Sequence, residues 1–180
     1  MDEQIFNVEK LDFKSRIQKD IGIRVFVFFF FVSIILINTK NYGFGIVQIL
    51  FALFFFLIVF LPSFLESINY IYEVKITPTE VKIKGNKFDK VWEKKFNIKT
   101  VNIKIIERRS KTNVKVGYFI DLLTDENRYR INKLLNWNNF TLYELFKNFK
   151  VAKGEKIIID EKPLFDGIEE KAKENFEWKY

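Results

Sequence analysis

Residues 21 to 61 constrain this chain more than any other stretch. Ile21 to Ile37 reads IGIRVFVFFFFVSIILI, Gly43 to Leu61 reads GFGIVQILFALFFFLIVFL, and five residues, Asn38 to Tyr42, separate the two runs. A helix needs roughly 20 mostly apolar residues to cross a hydrocarbon core about 30 Å thick. In lipid every backbone N–H and C=O must be paired internally, which favours helix despite the modest helix propensity of Phe and Ile. The pattern predicts a transmembrane hairpin, with helices at 21–39 and 43–62. Arg24 sits near the start of the first run, where its side chain can reach the headgroups. Gln48 is open to two readings, a hydrogen bond across the hairpin or to another subunit, and a tolerated amide. Gly43 and Gly45 mark the turn, and Pro62 with Ser63 marks the exit. A cleaved leader fits poorly, because a second apolar run follows at once and no small-residue cleavage site intervenes. The Phe28–Phe31 block offers no polar face for water, which disfavours a surface helix.

Five Lys and Arg precede or open the first run, the connecting loop has only Lys40, and 24 follow Leu61. The positive-inside rule then predicts a two-pass protein of the inner (cytoplasmic) membrane with both termini cytoplasmic. The absence of Cys fits a reducing compartment and excludes only disulfides. Residues 1–20 mix charged and apolar positions. Phe13, Ile17 and Ile21 share a helical spacing, consistent with a short interfacial helix or with a tail that becomes helical near Lys19.

After the apolar runs the period changes to two. Tyr72, Val74 and Ile76 alternate with charged residues, as do Val81 and Ile83, then Ile103 and Ile105, then Val114 to Leu122 on even positions, then Tyr129 and Ile131. Thr77–Pro78–Thr79, Gly85–Asn86, Asn97–Thr100 and Thr124–Asn127 punctuate the runs. These are half-buried antiparallel strands. The period then becomes helical: Leu142, Leu145, Phe146 and Phe149 form one apolar stripe, and Thr141 with Glu144 has capping-box spacing. The expected unit over 66–150 is a bent sheet, or partly open barrel, closed by this helix. In the tail, 151–180, Lys156–Asp160 suggests one more short strand. Leu164, Phe165, Ile168, Ala172 and Phe176 form the stripe of an amphipathic helix, and Trp178 and Tyr180 suggest an aromatic anchor. The helix stripe docks either on its own domain or on a partner.

Three stretches carry a family resemblance: the first hairpin from Tyr72 to Ile83, the strand and break from Trp92 to Val101, and the last strand, Trp137 and closing helix from Tyr129 to Phe149. With the apolar hairpin in front, they resemble the bacterial pleckstrin-homology-like domains attached to small membrane proteins. The resemblance covers about residues 21 to 150. It implies an α+β membrane protein whose β domain is pleckstrin-homology-like, and implies little about activity.

The chain has no His and no Cys. That removes Cys-His and Ser-His-Asp catalysis, thiol redox chemistry and the usual zinc sites. No glycine-rich phosphate loop is present, and the scattered carboxylates lack motif spacing. No cofactor or metal is expected, and the expected role is non-enzymatic. Basic residues are the positive feature: Pro62 to Lys150 carries 18 basic and 10 acidic residues. Lys82, Lys84, Lys87, Lys90, Lys94, Lys95, Arg108, Arg109 and Lys111 are the candidate surface for anionic lipid or a partner. Leu164, Phe165, Ile168 and Phe176 are the candidate partner-docking helix. Expected partners are the phospholipid bilayer and another protein or further copies of the chain. Anionic lipid headgroups are the alternative ligand, and nucleic acid is disfavoured for want of a recognition helix or RNA-binding aromatic motif.

Overall fold

A computed structural model describes residues 3–42, 46–110 and 113–177, with side chains described except at 20–23, 35–42, 47, 63 and 174–177. Gly43, Gly45, Lys111, Trp178 and Tyr180 therefore lie outside the described residues, as does the side chain of Phe176. The chain divides into two compact units, Leu11–Asn69 and Met1–Lys10 with Tyr70–Tyr180.

The first unit is a pair of helices, α1 (Phe13–Tyr42) and α2 (Ile46–Ile68). Asp12 opens α1 by accepting a 2.8 Å hydrogen bond from the Ser15 amide, which satisfies one of the first-turn donors. The helices are antiparallel and meet through aromatic edges. Phe28 lies 5.5 Å from Phe56 and 5.7 Å from Phe60, and Phe31 lies 4.5 Å from Phe55. Pro62, expected at a boundary, instead lies inside α2, which continues to Ile68. Proline removes one N–H donor from the ladder, and apolar helices tolerate this where side chains feed the freed groups. Arg24 serves that turn: its Nη1 donates to the Val59 carbonyl at 2.8 Å.

The two-pass topology at the inner membrane is overturned. Among the described residues one helix, Gln48–Ile68, is long and apolar enough to cross a membrane. In α1 the apolar stretch among the described side chains is Arg24–Ile34, short of the roughly 20 residues that a span needs. The turns of α1 before this stretch carry Lys14, Arg16 and Lys19, charges that a hydrocarbon core disfavours.

The second unit is mixed α+β. Its strands are β1 (Gln4–Asn7), β2 (Asn69–Ile76), β3 (Glu80–Lys87), β4 (Lys90–Asn97), β5 (Asn102–Arg109), β6 (Lys115–Leu123) and β7 (Arg128–Ile131). They form two sheets, one of four strands in the order β1-β2-β3-β4 and one of three in the order β5-β6-β7, not closed into a barrel. The break between sheets falls at Asn97–Thr100, where Asn97 Oδ1 accepts the Lys99 amide at 3.0 Å and a 3-10 turn buries Ile98. The turn takes the chain out of β4, so β5 starts a new sheet. β1 was not legible as a strand. Only Ile5 and Phe6 are apolar there, and its pairing with β2 (Gln4 opposite Ile76, Phe6 opposite Val74) spans the whole helical unit in sequence.

Helix α3 (Asn139–Lys153) turns Leu142, Leu145, Phe146 and Phe149 into the core, where they join Val74, Ile76, Val81, Ile83, Ile120, Leu122 and Ile131. Helix α4 (Lys162–Glu177) packs on α3. Between them Lys156–Asp160 forms no strand: its apolar Ile158 and Ile159 are exposed, so no sheet face holds them.

β7 pairs with only four residues of β6, from Ile120 opposite Ile131 to Leu123 opposite Arg128. Asn132 then leaves the sheet at φ 72°. Its side chain replaces the lost ladder: Nδ2 donates to the Tyr118 carbonyl at 2.8 Å, and Oδ1 accepts the Trp137 amide at 2.9 Å. Trp137 Nε1 in turn donates to the Ile71 carbonyl at 3.2 Å, tying the loop to β2. Replacing Asn132 by Gly keeps the left-handed backbone accessible and leaves two buried main-chain groups unpaired. The expected loss is about 1–3 kcal/mol, read as a lower urea midpoint for the full chain in mild detergent, followed by Trp fluorescence. An unchanged midpoint would remove Asn132 from its structural role.

Candidate functional site

The loop after β7 and the two helices build a part of the β unit where large apolar side chains, polar groups and concave surface converge. Asn138 caps α3, with Oδ1 accepting the Thr141 amide at 2.6 Å. The expected Thr141–Glu144 capping box is not used. Glu144 accepts instead from Asn148 Nδ2 at 3.1 Å and lies 3.7 Å from Lys147 Nζ. With the cap at Asn138, Phe140 falls in the first helical turn. A side chain there has no preceding turn to fold onto, and Phe140 is 48% exposed.

Phe140 lines three clefts. The first, about 530 Å³, lies against Val116 and Gly117 of β6, Leu135, Lys171 and Ala172. The second, about 520 Å³, runs between α3 and α4 past Tyr143, Glu144, Lys147, Glu169 and Lys173. The third, about 510 Å³, faces Ile5, Phe6, Thr141, Glu144 and Asn148. Val116 and Leu135 are themselves well exposed, so the first cleft has an apolar wall. That wall exists because β7 stops early and leaves the beginning of β6 paired with β5 alone, with no strand on its β7 side.

The position of α4 closes the second cleft. Phe165 stacks on Tyr143 with centroids 4.9 Å apart and lies 5.9 Å from Phe146. Ile168 and Ala172 are buried, and a Cβ at Gly167 would come within 2.7 Å of the Tyr118 hydroxyl. The connection is pinned by Lys150, whose Nζ lies 2.8 Å from Glu161 and 3.2 Å from Glu155. Burial opposes the charge on Lys150, but the two carboxylates outweigh it and hold its pKa above the ordinary lysine value.

Of the predicted docking helix, Phe165 and Ile168 are turned onto α3, and Leu164 is partly buried against the same core. Among the nine predicted basic residues, six lie on the β3–β4 ribbon and two on β5 in the other sheet; Lys111 is outside the described residues. Lys82 pairs with Glu93 at 2.8 Å and Lys84 with Glu73 at 2.7 Å. Arg108 donates to the Lys133 carbonyl at 3.0 Å and lies over the Phe119 ring, and Arg109 pairs with Glu107 at 2.7 Å. Lys87 and Lys90 flank the β3–β4 turn, and Lys94 and Lys95 are exposed on β4.

Sequence reasoning missed a second cationic group. Arg130 holds the buried Asp121 through two bonds, of 2.8 and 3.0 Å, and Arg128 pairs with the same carboxylate. Arg130 also lies over Phe119, 4.8 Å from the centroid. The only signal in the sequence is the alternation of Arg128 and Arg130 with Tyr129 and Ile131; their partner is set by the β6–β7 register, Asp121 opposite Arg130. Among the described residues no group of three or more acidic side chains could hold a metal ion.

Glu107 accepts from Lys115 and Arg109, and both bonds hold its carboxyl below the usual range. A lowered carboxylate pKa contributes stability that is whole above the unfolded value, about 4.3, and is lost as pH falls through the folded one. The midpoint gap between the wild-type chain and Glu107→Gln is therefore expected at about pH 7 and should shrink toward about pH 3. An equal gap at both pH values would show that the ion pairs contribute nothing.

No protein-family model matches the chain, and no curated protein or solved structure matches it. Nothing in these comparisons identifies the β unit as pleckstrin-homology-like; what stands is a small α+β unit and one apolar helix long enough to span a membrane.

Proposed function

We propose that this chain is a non-enzymatic, membrane-anchored docking module of pleckstrin-homology-like architecture. α2 is its anchor, and a protein segment, from a partner or from a second copy, occupies the clefts around Phe140. The observation that carries the reading is Phe140 itself, an aromatic side chain 48% exposed that lines three clefts of about 510 to 530 Å³. Aromatic side chains at the centre of such surfaces dominate interface energetics. The pleckstrin-homology-like part is supported by the order of elements. Six strands, β2 to β7, are followed by a helix whose apolar stripe joins the core, which fits the run of strands and closing helix that the resemblance implies.

The anchoring part is supported by the exposed apolar face of α2. Ile49, Leu50, Leu53, Phe54, Leu57 and Leu61 are all exposed and need an apolar surrounding. The non-enzymatic part is supported by the residue types present, since a chain without His or Cys lacks the commonest nucleophile–base pairs.

Affinity isolation of the full-length chain from mild-detergent extracts, with mass analysis of what is retained, tests this reading. Phe140→Asp is expected to lose the associated protein, or self-association, by at least about 30-fold, the effect of a central aromatic anchor. Retention equal to wild type would sink the Phe140 site.

A further inference from the structure

The β3–β4 hairpin carries an exposed apolar tip between two lysines. Its turn consists of two residues, Phe88 and Asp89, between the paired Lys87 and Lys90. Phe88 adopts φ 53°. The first central position of a two-residue turn with positive φ is one where glycine is favoured. Here that position carries an aromatic ring that is 43% exposed, and Val91 beside it is 56% exposed. An apolar tip between two lysines is chemically matched to the boundary between acyl chains and anionic headgroups.

The topology decides which end of the sheet this tip occupies. α2 ends at Ile68 and β2 begins at Asn69, with no residue between them. β2 and β3 are neighbours joined by the three-residue turn Thr77–Thr79, closed by the Thr77 amide on the Glu80 carbonyl at 2.9 Å. So short a connection makes them antiparallel, and β3 runs back toward the start of β2. The return is visible at Gly85, where a Cβ would lie 2.6 Å from the Tyr70 carbonyl and 2.4 Å from the Trp92 ring. Phe88 is three residues further on, about 10 Å at roughly 3.3 Å per residue. The tip therefore extends past Tyr70 at the end of the sheet where the chain enters it. By covalent continuity that is the end that follows the apolar helix. The headgroup layer on each side of a bilayer is roughly 5–8 Å thick, comparable with the projection of the tip.

We infer that Phe88 and Val91 insert into the membrane interface, with Lys87 and Lys90 against anionic headgroups, so that the domain is held at the surface at a second point besides its covalent link to α2. The inference rests on the anchoring role proposed for α2, but not on the Phe140 clefts.

The chain has no Cys, so single cysteines report one site at a time. Full-length Phe88→Cys, Thr79→Cys and Ile49→Cys are each labelled with an environment-sensitive fluorophore. They are then reconstituted in vesicles of phosphatidylcholine with phosphatidylglycerol, and quenched with lipids carrying nitroxide in the headgroup or along the acyl chain. The expected result is strong quenching at 49 by acyl-chain nitroxide, strong quenching at 88 by headgroup and shallow nitroxide, and little at 79, in the turn at the opposite end of the sheet. Adding Lys87→Gln and Lys90→Gln should lower the surface occupancy of the tip by roughly tenfold or more in the anionic vesicles and leave phosphatidylcholine vesicles unaffected. Val91→Cys gives the same readout should a label at 88 disturb the turn. Quenching at 49 with none at 88 or 91 beyond that at 79 overturns the inference and leaves the anchor standing. No quenching at 49 removes the anchor and the inference with it. Quenching at 88 that ignores both lysines and lipid charge also overturns it.

Discussion

The side-chain amide of Asn132 determines the shape of the β unit's working end. By taking the Tyr118 carbonyl and the Trp137 amide, it does in one residue what continued strand pairing would have done over several. An amide can supply both a donor and an acceptor at once, and buried main-chain groups tolerate a strand ending only if such a substitute is present. Because β7 stops there, the chain is free to place Trp137 under β2, cap α3 with Asn138 and leave the beginning of β6 beside an open cleft. The three clefts around Phe140 are downstream consequences of that one exchange of partners.

Charge is arranged as differently from a simple basic surface as the composition allows. Lys82 and Lys84 are matched to carboxylates across strands, Arg109 to Glu107 along β5, and Arg130 and Arg128 converge on Asp121. The exposed pairs among these contribute little each. They do consume cations, so the remaining positive potential is concentrated where no carboxylate sits opposite. Lys87 opposite Lys90 is such a place, and the two lysines flank an exposed aromatic. In the helical unit the same logic applies to Arg24, which gives a hydrogen bond to the turn that Pro62 interrupts. A guanidinium with a fixed fork of donors suits that role better than a point charge.

Much of the β unit could be read from spacing, because a half-buried strand and an amphipathic helix impose periods of 2 and 3.6 on any sequence that adopts them. The stripe at Leu142, Leu145, Phe146 and Phe149, and the alternations through β2, β3, β5 and β6, needed no partner to be recognised. Four features resisted. β1 carries two apolar residues and depends on a strand some seventy positions away. Phe165 and Ile168 announce an apolar face, but only the neighbouring Tyr143 and Phe146 show that α3 of the same unit covers it. Lys156–Asp160 has strand composition with no edge to join. Phe140 reads as one more core aromatic until the cap at Asn138 moves it to the exposed first turn.

The sequence by itself determined that a long apolar helix is present, that the rest is a β unit with a closing helix, and that no histidine or cysteine chemistry occurs. These are consequences of composition and period, which are local. Only the tertiary structure decided that the strands split into two sheets at Asn97–Thr100, and that the basic residues are divided between those sheets, with Lys82, Lys84 and Arg109 matched to carboxylates. It also decided that Phe88 and Tyr70 lie toward the same end of one sheet. Each of these depends on which residues become neighbours across strands or helices. Register and chain reversal, unlike periodicity, leave no mark in the sequence of a single segment.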